Sequence, residues 1–241
     1  MDLRKPRKWL AKHGASTVLV LAVLMIFTLT FRDKILPVWK ENELKPIYGA
    51  ETQEKVGAVV CNIYWGTEYV PDILKALKER DIKATFFIGG MWANDNPEVL
   101  KQIVSDGHEI GSHGYSHKMH SKLSLDENVK EMEKAANAIE PIAGTTISLF
   151  MPPSGDFGQA TLQAAKQLNY KTIMWSCDTI DWRDQQDDVL LGRVQKKMAP
   201  GGIILTHPTA ATARIYGQML DYLTGQGYRL CPVGELIAAE D

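Results

Sequence analysis

Short apolar segments alternate with amphipathic segments along residues 56–241. The runs Val56–Cys61 and Lys83–Ile88 have the length of β-strands, whereas Leu125–Ile139 has helical spacing and begins with a capping box, Ser124 with Glu127. Strands that alternate with helices of about ten to fifteen residues form a parallel sheet with the helices outside it. About seven such units predict a closed or nearly closed α/β barrel. A doubly wound open sheet is the alternative, which the absence of a glycine-rich nucleotide motif after the first strand disfavours.

The first residues carry a membrane-targeting pattern, in which five cations precede the uncharged run 14–31: Arg4, Lys5, Arg7, Lys8 and Lys12. At about 1.5 Å per residue, a helix of this run spans about 27 Å, which is enough to cross a bilayer core. Since such cations stay in the cytoplasm, we expect a cytoplasmic tail at 1–13, a transmembrane signal-anchor at 14–31, a juxtamembrane stalk at 32–55 and an extracytoplasmic domain at 56–241. Cleavage as a signal peptide is the alternative, although charged residues rather than small ones follow the run.

The charge distribution excludes one class of partner. Residues 1–34 carry seven Lys/Arg against two Asp, so the rest of the chain carries 20 Lys/Arg against 27 Asp/Glu. An acidic body lacks the basic surface of a nucleic-acid-binding protein, and we expect no nucleic-acid partner. The three cysteines lack the spacing of a zinc cluster or a disulfide framework, and we expect buried thiols: Cys61, Cys177 and Cys231.

Polar segments follow the predicted strands, at the end where parallel α/β barrels carry their working residues. Residues 112–117 contain two histidines, His113 and His117, and residues 176–182 contain two aspartates. His207 ends a further strand. Taken singly, each segment also fits a surface, turn or helix-capping role. Their convergence on one rim of the predicted barrel is what indicates a functional site.

Metal chemistry gives this convergence a reason. Two imidazoles four residues apart in a loop beyond a strand can chelate one divalent ion. The ion polarises a carbonyl and lowers the pKa of a bound water to about 7. A further histidine, oriented by a carboxylate on its second nitrogen, can protonate a leaving group. These groups suit the hydrolysis of an amide or an ester by water.

Four segments resemble the polysaccharide deacetylase family, carbohydrate esterase family 4 with its NodB-homology domain: 83–89, 107–117, 175–182 and 201–207. The branch they resemble most is membrane-anchored and associated with sporulation. The resemblance covers nearly all of residues 56–241 and implies a distorted (β/α)7 barrel. It implies metal-dependent removal of acetyl groups from an extracytoplasmic acetylated glycan, such as peptidoglycan or a chitin-like polymer. The implied cofactor is a divalent metal, Zn²⁺ first, with Co²⁺, Mn²⁺ or Ni²⁺ as alternatives.

The resemblance also implies residue roles. His113 and His117 match the two metal-ligand histidines. His207 matches the general acid, and Asp181 matches the carboxylate that orients it, with Asp178 grouped beside them as catalytic. The residues assigned to substrate binding are Trp182, Pro152, Pro153, Tyr64 and Trp65.

Two family motifs are altered in this chain. The motif Thr-Phe-Asp-Asp-Gly, which carries the catalytic base and the third metal ligand, falls on residues 62–66. Without a gap the two Asp become Tyr64 and Trp65, and with a gap they become Asn62 and Ile63. The motif Arg-Pro-Pro-Tyr-Gly falls on 151–155, where Met151 and Ser154 replace the Arg and the Tyr. An Arg whose carboxylate partner is lost becomes a costly unpaired charge, so the two losses are physically coupled.

Two functional hypotheses follow. In the first, a working deacetylase uses a rearranged base, and Glu68 completes the metal site or takes the proton from water. Glu68 also fits as a first-turn residue favoured by the helix dipole. In the second, the domain is a catalytically impaired, membrane-anchored module for glycan binding or assembly, whose tryptophans either stack on sugars or pack in the fold: Trp65, Trp92, Trp175 and Trp182. A pure scaffold would not need three imidazoles in one cleft. We expect His108 to be structural and His120 to be exposed.

Overall fold

The computed structural model describes residues 18, 20–27 and 44–238. The chain divides into two compact units, residues 1–44 and 45–241. In the first unit, residues 20–27 are helical. Among the described residues, no helix combines the length and the apolar character needed to cross a membrane. The expected tail at 1–13 and half of the expected signal-anchor at 14–31 lie outside the described residues.

The second unit is built on one parallel sheet. Its strands are β1 Val56–Ile63, β2 Thr85–Ile88, β3 Glu109–Ser112, β4 Leu149–Phe150, β5 Lys171–Thr172, β6 Cys177–Asp178, β7 Ile203–Thr206 and β8 Arg229–Leu230. The strand order is β5-β4-β3-β2-β1-β7-β6, and β8 pairs with the start of β1. The predicted parallel α/β architecture is therefore confirmed. Within the described part of the chain, β5 and β6 do not pair with each other, so the sheet forms an incomplete barrel.

Helices follow most of the strands, as the alternating pattern predicts. They are α1 Val70–Lys78, α2 Gly90–Asp95, α3 Pro97–Ser105, α4 Leu125–Ala143, α5 Gln159–Gln167, α6 Asp187–Lys197, α7 Ala210–Gly225 and α8 Val233–Ala238. The capping box that begins α4 is confirmed, because the Ser124 hydroxyl accepts the Glu127 N–H and the Glu127 carboxylate accepts the Ser124 N–H. Asn96 precedes α3, but its side chain donates to the Trp92 carbonyl instead of capping the helix.

The central strand β1 is buried on both faces, as expected for a parallel strand covered by helices. Because side chains alternate along a strand, Val56, Ala58 and Val60 point into the barrel, and Val59 and Cys61 pack towards the helices. Asn62 is the next inward position of β1. The strand thus ends with a polar side chain at the carboxyl end of the barrel.

The opposite end of the barrel is closed by α8. Val233, Leu236 and Ile237 pack into the same interior cluster as the inward residues of β1. The Glu109 carboxylate accepts hydrogen bonds from the Thr85 hydroxyl, at 2.6 Å, and from the Gly234 N–H, at 3.0 Å. These contacts fix α8 beneath the sheet. A ligand therefore reaches the barrel from the carboxyl ends of the strands.

The expected stalk at 32–55 needs a correction. Residues 45–55 are integrated into the compact unit, which begins at Lys45 rather than at residue 56. Ile47 bridges to Ile173 beyond β5, and Gly49 bridges to Gly202 before β7. Half-buried Ile47 also packs against the interior cluster of the barrel. This segment therefore lies where the sheet itself is incomplete, and it supplies backbone hydrogen bonds there.

Candidate active site

A cleft of about 480 Å³ lies at the carboxyl ends of the strands. It is lined by Asn62, Tyr64, Trp65, His113, His117, Ser154, Gly155, Trp175, Asp178, Trp182, Leu205 and His207. The strands bring together residues that are far apart in the sequence. Asn62 is the last inward residue of β1, His113 follows β3 and His207 follows β7. The predicted convergence of the three imidazoles on one rim is thus found in the structure.

His113 is buried and its ring orientation is fixed. Its backbone N–H donates to the Ile88 carbonyl, and Nδ1 lies 2.8 Å from the Met151 carbonyl oxygen. Because a carbonyl only accepts, Nδ1 carries the proton and Nε2 is the unprotonated nitrogen. Burial lowers the pKa of His113 well below its ordinary value. The side chain is therefore a neutral imidazole at neutral pH.

His117 lies at a backbone position with positive φ, 54°, in the same loop. Its ring centroid is 5.2 Å from that of His113, and partial burial lowers its pKa. The loop is held by Glu131 of α4, whose carboxylate accepts from the Ser116 N–H and hydroxyl and pairs with Lys118 at 2.7 Å. This anchoring holds the loop that places the two imidazoles side by side.

The altered first motif places aromatic rings in the cleft. The Tyr64 ring stacks on His117 with 3.7 Å between centroids, and the Trp65 ring lies parallel to His207 at 6.5 Å. Ile63, by contrast, faces the helices and is fully buried. The positions that face the cleft are therefore Tyr64 and Trp65, as the ungapped pairing requires, together with Asn62.

The residues present do not fit the three-ligand metal site of the family. Over residues 18, 20–27 and 44–238, no group of three or more His, Cys, Asp or Glu side chains is arranged to hold a metal ion. Glu68 is exposed on a single 3₁₀ turn, Thr67–Tyr69, and does not line the cleft. The expected set of His113, His117 and Glu68 is therefore not assembled, because Glu68 points to solvent.

The acid half of the site is fully built. Asp181 is completely buried, and its Oδ1 lies 2.7 Å from Nδ1 of His207. Oδ2 accepts the His207 backbone N–H at 2.6 Å and the Thr212 hydroxyl at 2.5 Å. The carboxylate thus orients the imidazole as predicted. Nε2 is the ring nitrogen of His207 that Asp181 does not contact. Thr212, in the first turn of α7, is a partner that sequence reasoning missed.

The tryptophans divide into two groups. Trp65, Trp175 and Trp182 line the cleft, and Trp182 is 56% exposed. Trp92 is buried and donates its indole N–H to the Thr67 hydroxyl, so it packs in the fold. Aromatic faces at an open cleft suit stacking on the apolar faces of sugar rings.

The third motif contributes differently from the expectation. Pro152 and Pro153 are buried and do not line the cleft, whereas Ser154 and Gly155 do. The side chain of Met151 is fully buried in the barrel interior. Met151 contributes to the site only through its carbonyl oxygen, which accepts a hydrogen bond from His113. The proline pair therefore shapes the loop rather than a binding surface.

Asp178 lines the cleft at the end of β6. Its Oδ1 accepts the Ile180 N–H at 2.8 Å, a local turn contact. The side chain makes no ion pair with any described residue, in contrast to Asp181.

The expectation that His120 is exposed is wrong. His120 is completely buried, and its Nδ1 lies 2.6 Å from Oδ1 of Asn128. The Asn128 amide nitrogen donates to three backbone carbonyls, which orients its oxygen towards the imidazole. His108 is structural as expected: it is buried and accepts the Ala84 N–H, and burial lowers its pKa to about 4.

The fold and the arrangement of His113, His117, His207 and Asp181 define a domain of the polysaccharide deacetylase class. The profile of the polysaccharide deacetylase family matches residues 49–173, slightly more than half of the chain. The chain therefore belongs to the polysaccharide deacetylase family.

Particular relatives sharpen this placement. The uncharacterised protein YlxY of Bacillus subtilis is 37% identical over 193 residues, covering 80% of this chain and 60% of that protein. A peptidoglycan-N-acetylglucosamine deacetylase of Bacillus cereus is 35% identical over 142 residues, covering 59% of this chain and 52% of that protein. This chain thus spans less than two thirds of the length of both relatives.

A solved structure is also similar. The crystal structure of a CE4 family pseudoenzyme from Bacillus anthracis superposes with a TM-score of 0.79 at 38% identity, covering 82% of this chain and 70% of that chain. A mutant of the same pseudoenzyme with restored enzymatic activity superposes with the same TM-score and identity, covering 72% of that chain.

Proposed function

We propose that this chain is a catalytically impaired polysaccharide deacetylase that binds a cell-wall glycan of the peptidoglycan type in the cleft. The observation that carries the proposal is the stack of Tyr64 on His117, which puts an aromatic ring where the family motif has a carboxylate. Similarity to a pseudoenzyme and to peptidoglycan deacetylases supports the impaired activity and the kind of glycan. The aromatic walls of the cleft support binding.

We further propose that the chain is anchored in the membrane by residues 14–31 and that the domain faces the cell wall. The proposal rests on the uncharged run and on the five preceding cations. Protease protection in sealed vesicles tests it: the domain is digested in vesicles that expose the outer face and protected in inverted ones. The reverse pattern would contradict the proposed orientation.

The experiment that tests the function separates binding from turnover. The full chain in detergent is incubated with N-acetylated peptidoglycan fragments and Zn²⁺, and both released acetate and bound glycan are measured. We expect bound glycan without released acetate. The Trp182→Ala variant should bind about tenfold more weakly, because an exposed aromatic face is lost. Tyr48→Ala is the control, since Tyr48 is 49% exposed but lies outside the cleft.

A second candidate function is an active deacetylase with a relocated base. The observation that favours it is the complete Asp181–His207 pair, which retains the geometry of a general acid. This candidate predicts acetate release that a His207→Ala variant abolishes. A Glu68→Gln variant with full activity would exclude Glu68 as its base. Absence of acetate with bound glycan supports the first function.

A further inference from the structure

The cleft has an unusual charge for a site that is expected to bind acetyl groups. Among the described residues, one carboxylate lines the cleft, that of Asp178, and no Lys or Arg lines it. Asp178 forms no ion pair within the described part of the chain, and its one hydrogen-bonded oxygen accepts a backbone N–H of the same turn. Arg183 acts on Asp178 only at longer range, and a carboxylate without an ion pair beside a partly water-excluded cleft favours a positively charged ligand.

Two polar groups at the floor of the cleft present acceptors to a ligand. Nδ1 of His113 donates to the Met151 carbonyl, so the nitrogen that remains is an acceptor. Asn62 is 3% exposed, and its Oδ1 has no hydrogen-bond partner among the described residues. An unpaired buried carbonyl oxygen is costly, and a donor that approaches the floor of the cleft would relieve that cost.

The aromatic walls match the same kind of ligand. Tyr64, Trp175 and Trp182 surround the cleft, and the faces of such rings attract a cation. Outside the cleft, the excess of acidic over basic residues beyond residue 34 adds a long-range attraction for cationic chains. Stacking also fits the apolar face of a pyranose ring.

An N-acetyl group makes the opposite demand. Its carbonyl oxygen needs hydrogen-bond donors or a cation, which a metal ion would supply in a working deacetylase. Here the three-ligand metal set is not assembled, and Met151 stands where the family motif has an Arg. An ammonium group carries three donors and no acceptor, so it fits the acceptors that the cleft offers.

We propose that the cleft recognises a deacetylated amino sugar, with a free ammonium group at C2, in preference to its N-acetylated counterpart. This inference rests on the proposed glycan-binding function and specifies its ligand. The chain would then bind the product of deacetylation in a glycan strand. A bound divalent ion or an Arg in the cleft would repel that ammonium, so the altered motifs favour this ligand.

Titration calorimetry on the full chain in detergent tests the inference. The probes are a β-1,4-linked glucosamine tetramer, the matching N-acetylglucosamine tetramer and tetralysine, all at pH 6, where the amino-sugar amines are protonated. We expect the glucosamine tetramer to bind at least tenfold more tightly than either of the others. Tetralysine carries ammonium groups without sugar rings and distinguishes a sugar site from a general cation site.

A pair of variants locates the preference. Asp178→Asn keeps an oxygen acceptor for the Ile180 N–H but removes the charge, and it should weaken binding of the glucosamine tetramer about tenfold. Asp188→Asn removes the same charge from an exposed residue outside the cleft and should leave binding unchanged. Unchanged binding by Asp178→Asn would overturn the inference, as would tetralysine binding equal to that of the glucosamine tetramer.

The two proposals fail in different ways. If the N-acetylated tetramer binds as tightly as the glucosamine tetramer, or more tightly, the inference is overturned and the glycan-binding function stands. If neither tetramer binds, the glycan-binding function fails together with the inference.

Discussion

The phenol ring of Tyr64 stacks on the imidazole of His117, with 3.7 Å between ring centroids and 24° between ring planes. Tyr64 follows β1 directly, at the place where the family motif carries its first carboxylate. A tyrosine there supplies neither the carboxylate ligand nor the carboxylate base of the family motif. The Tyr64 ring also covers one face of the His117 imidazole, which would otherwise be open to the cleft. The loss of the carboxylate is therefore compensated by packing.

Replacing Tyr64 by Asp tests whether this ring is what prevents metal binding. The ungapped motif places the metal-ligand Asp at Trp65, but the Tyr64 ring is the one that lies on His117. A carboxylate at position 64 is therefore beside His117 and His113 and provides a third ligand for a tetrahedral ion. We expect Tyr64→Asp to bind Zn²⁺ at least about tenfold more tightly than the natural chain, measured by calorimetry. The control is Tyr64→Asn, which has the same shape without the charge. Equal Zn²⁺ affinity of the two variants would show that the position does not reach the imidazoles.

The Thr212 hydroxyl should stabilise the fold through Asp181. It donates to Oδ2 of the completely buried carboxylate at 2.5 Å, and Thr212 itself is 2% exposed. Removing a donor from a buried charged group costs about 1–3 kcal/mol. We expect Thr212→Val to lower the free energy of unfolding by that amount in urea denaturation, and Thr212→Ser to lower it much less. A loss in Thr212→Val no larger than that in Thr212→Ser would contradict a stabilising role of the hydroxyl.

Much of this fold can be predicted from its sequence, because the relevant signals are local and repeated. The helix Pro97–Ser105 can be predicted from the spacing of its apolar residues and from its first residue, a proline. Proline suits the first turn of a helix because a backbone N–H there has no partner within the helix. The positions of His113 and His207 follow from strand ends, since parallel strands all end on one rim. Such arguments depend only on neighbouring residues in the chain.

Features that depend on distant partners could not be predicted. His120 lies in a polar segment, but an amide eight residues further along the chain makes its burial tolerable. The strand Cys177–Asp178 has two residues, too few to produce an alternating pattern. The segment from Lys45 is polar and contains Pro46, yet Ile47 makes backbone hydrogen bonds with the end of β5. In each case the deciding contact comes from another part of the chain.

The stability of the domain should depend on pH through His108. Burial, together with the charge of Lys83, lowers its pKa from 6.5 to about 4. His108 therefore binds a proton near pH 6.5 in the unfolded chain, but only near pH 4 in the folded chain. Its contribution to stability is complete above pH 6.5 and is lost as the pH falls towards 4. We expect a loss of about 2–3 kcal/mol between pH 7 and pH 4.

The variant His108→Asn isolates this contribution. Its amide oxygen can accept the Ala84 N–H, but it does not titrate. Urea denaturation between pH 4 and pH 7 should give a shallower pH dependence for the variant than for the natural chain. Some dependence will remain, because burial also lowers the pKa of His113 and of His120. Parallel curves for the two proteins would contradict a role for His108.

Gly66, at the end of the altered motif, lies against Pro208 in the loop that carries His207. A side chain at Gly66 should lower the stability of the fold for two separable reasons. Its φ is +73°, a conformation that costs a residue with a side chain about 1–2 kcal/mol. A Cβ at Gly66 would also lie 2.1 Å from the carbonyl oxygen of Pro208. Gly144, at the end of α4, has a similar φ of +66° with no atom within 4 Å of its Cβ position. We therefore expect Gly66→Ala to destabilise the fold by at least about 1 kcal/mol more than Gly144→Ala in urea denaturation. Equal losses would mean that the Pro208 segment moves freely, and the parallel arrangement of Trp65 with His207 would then not depend on this turn.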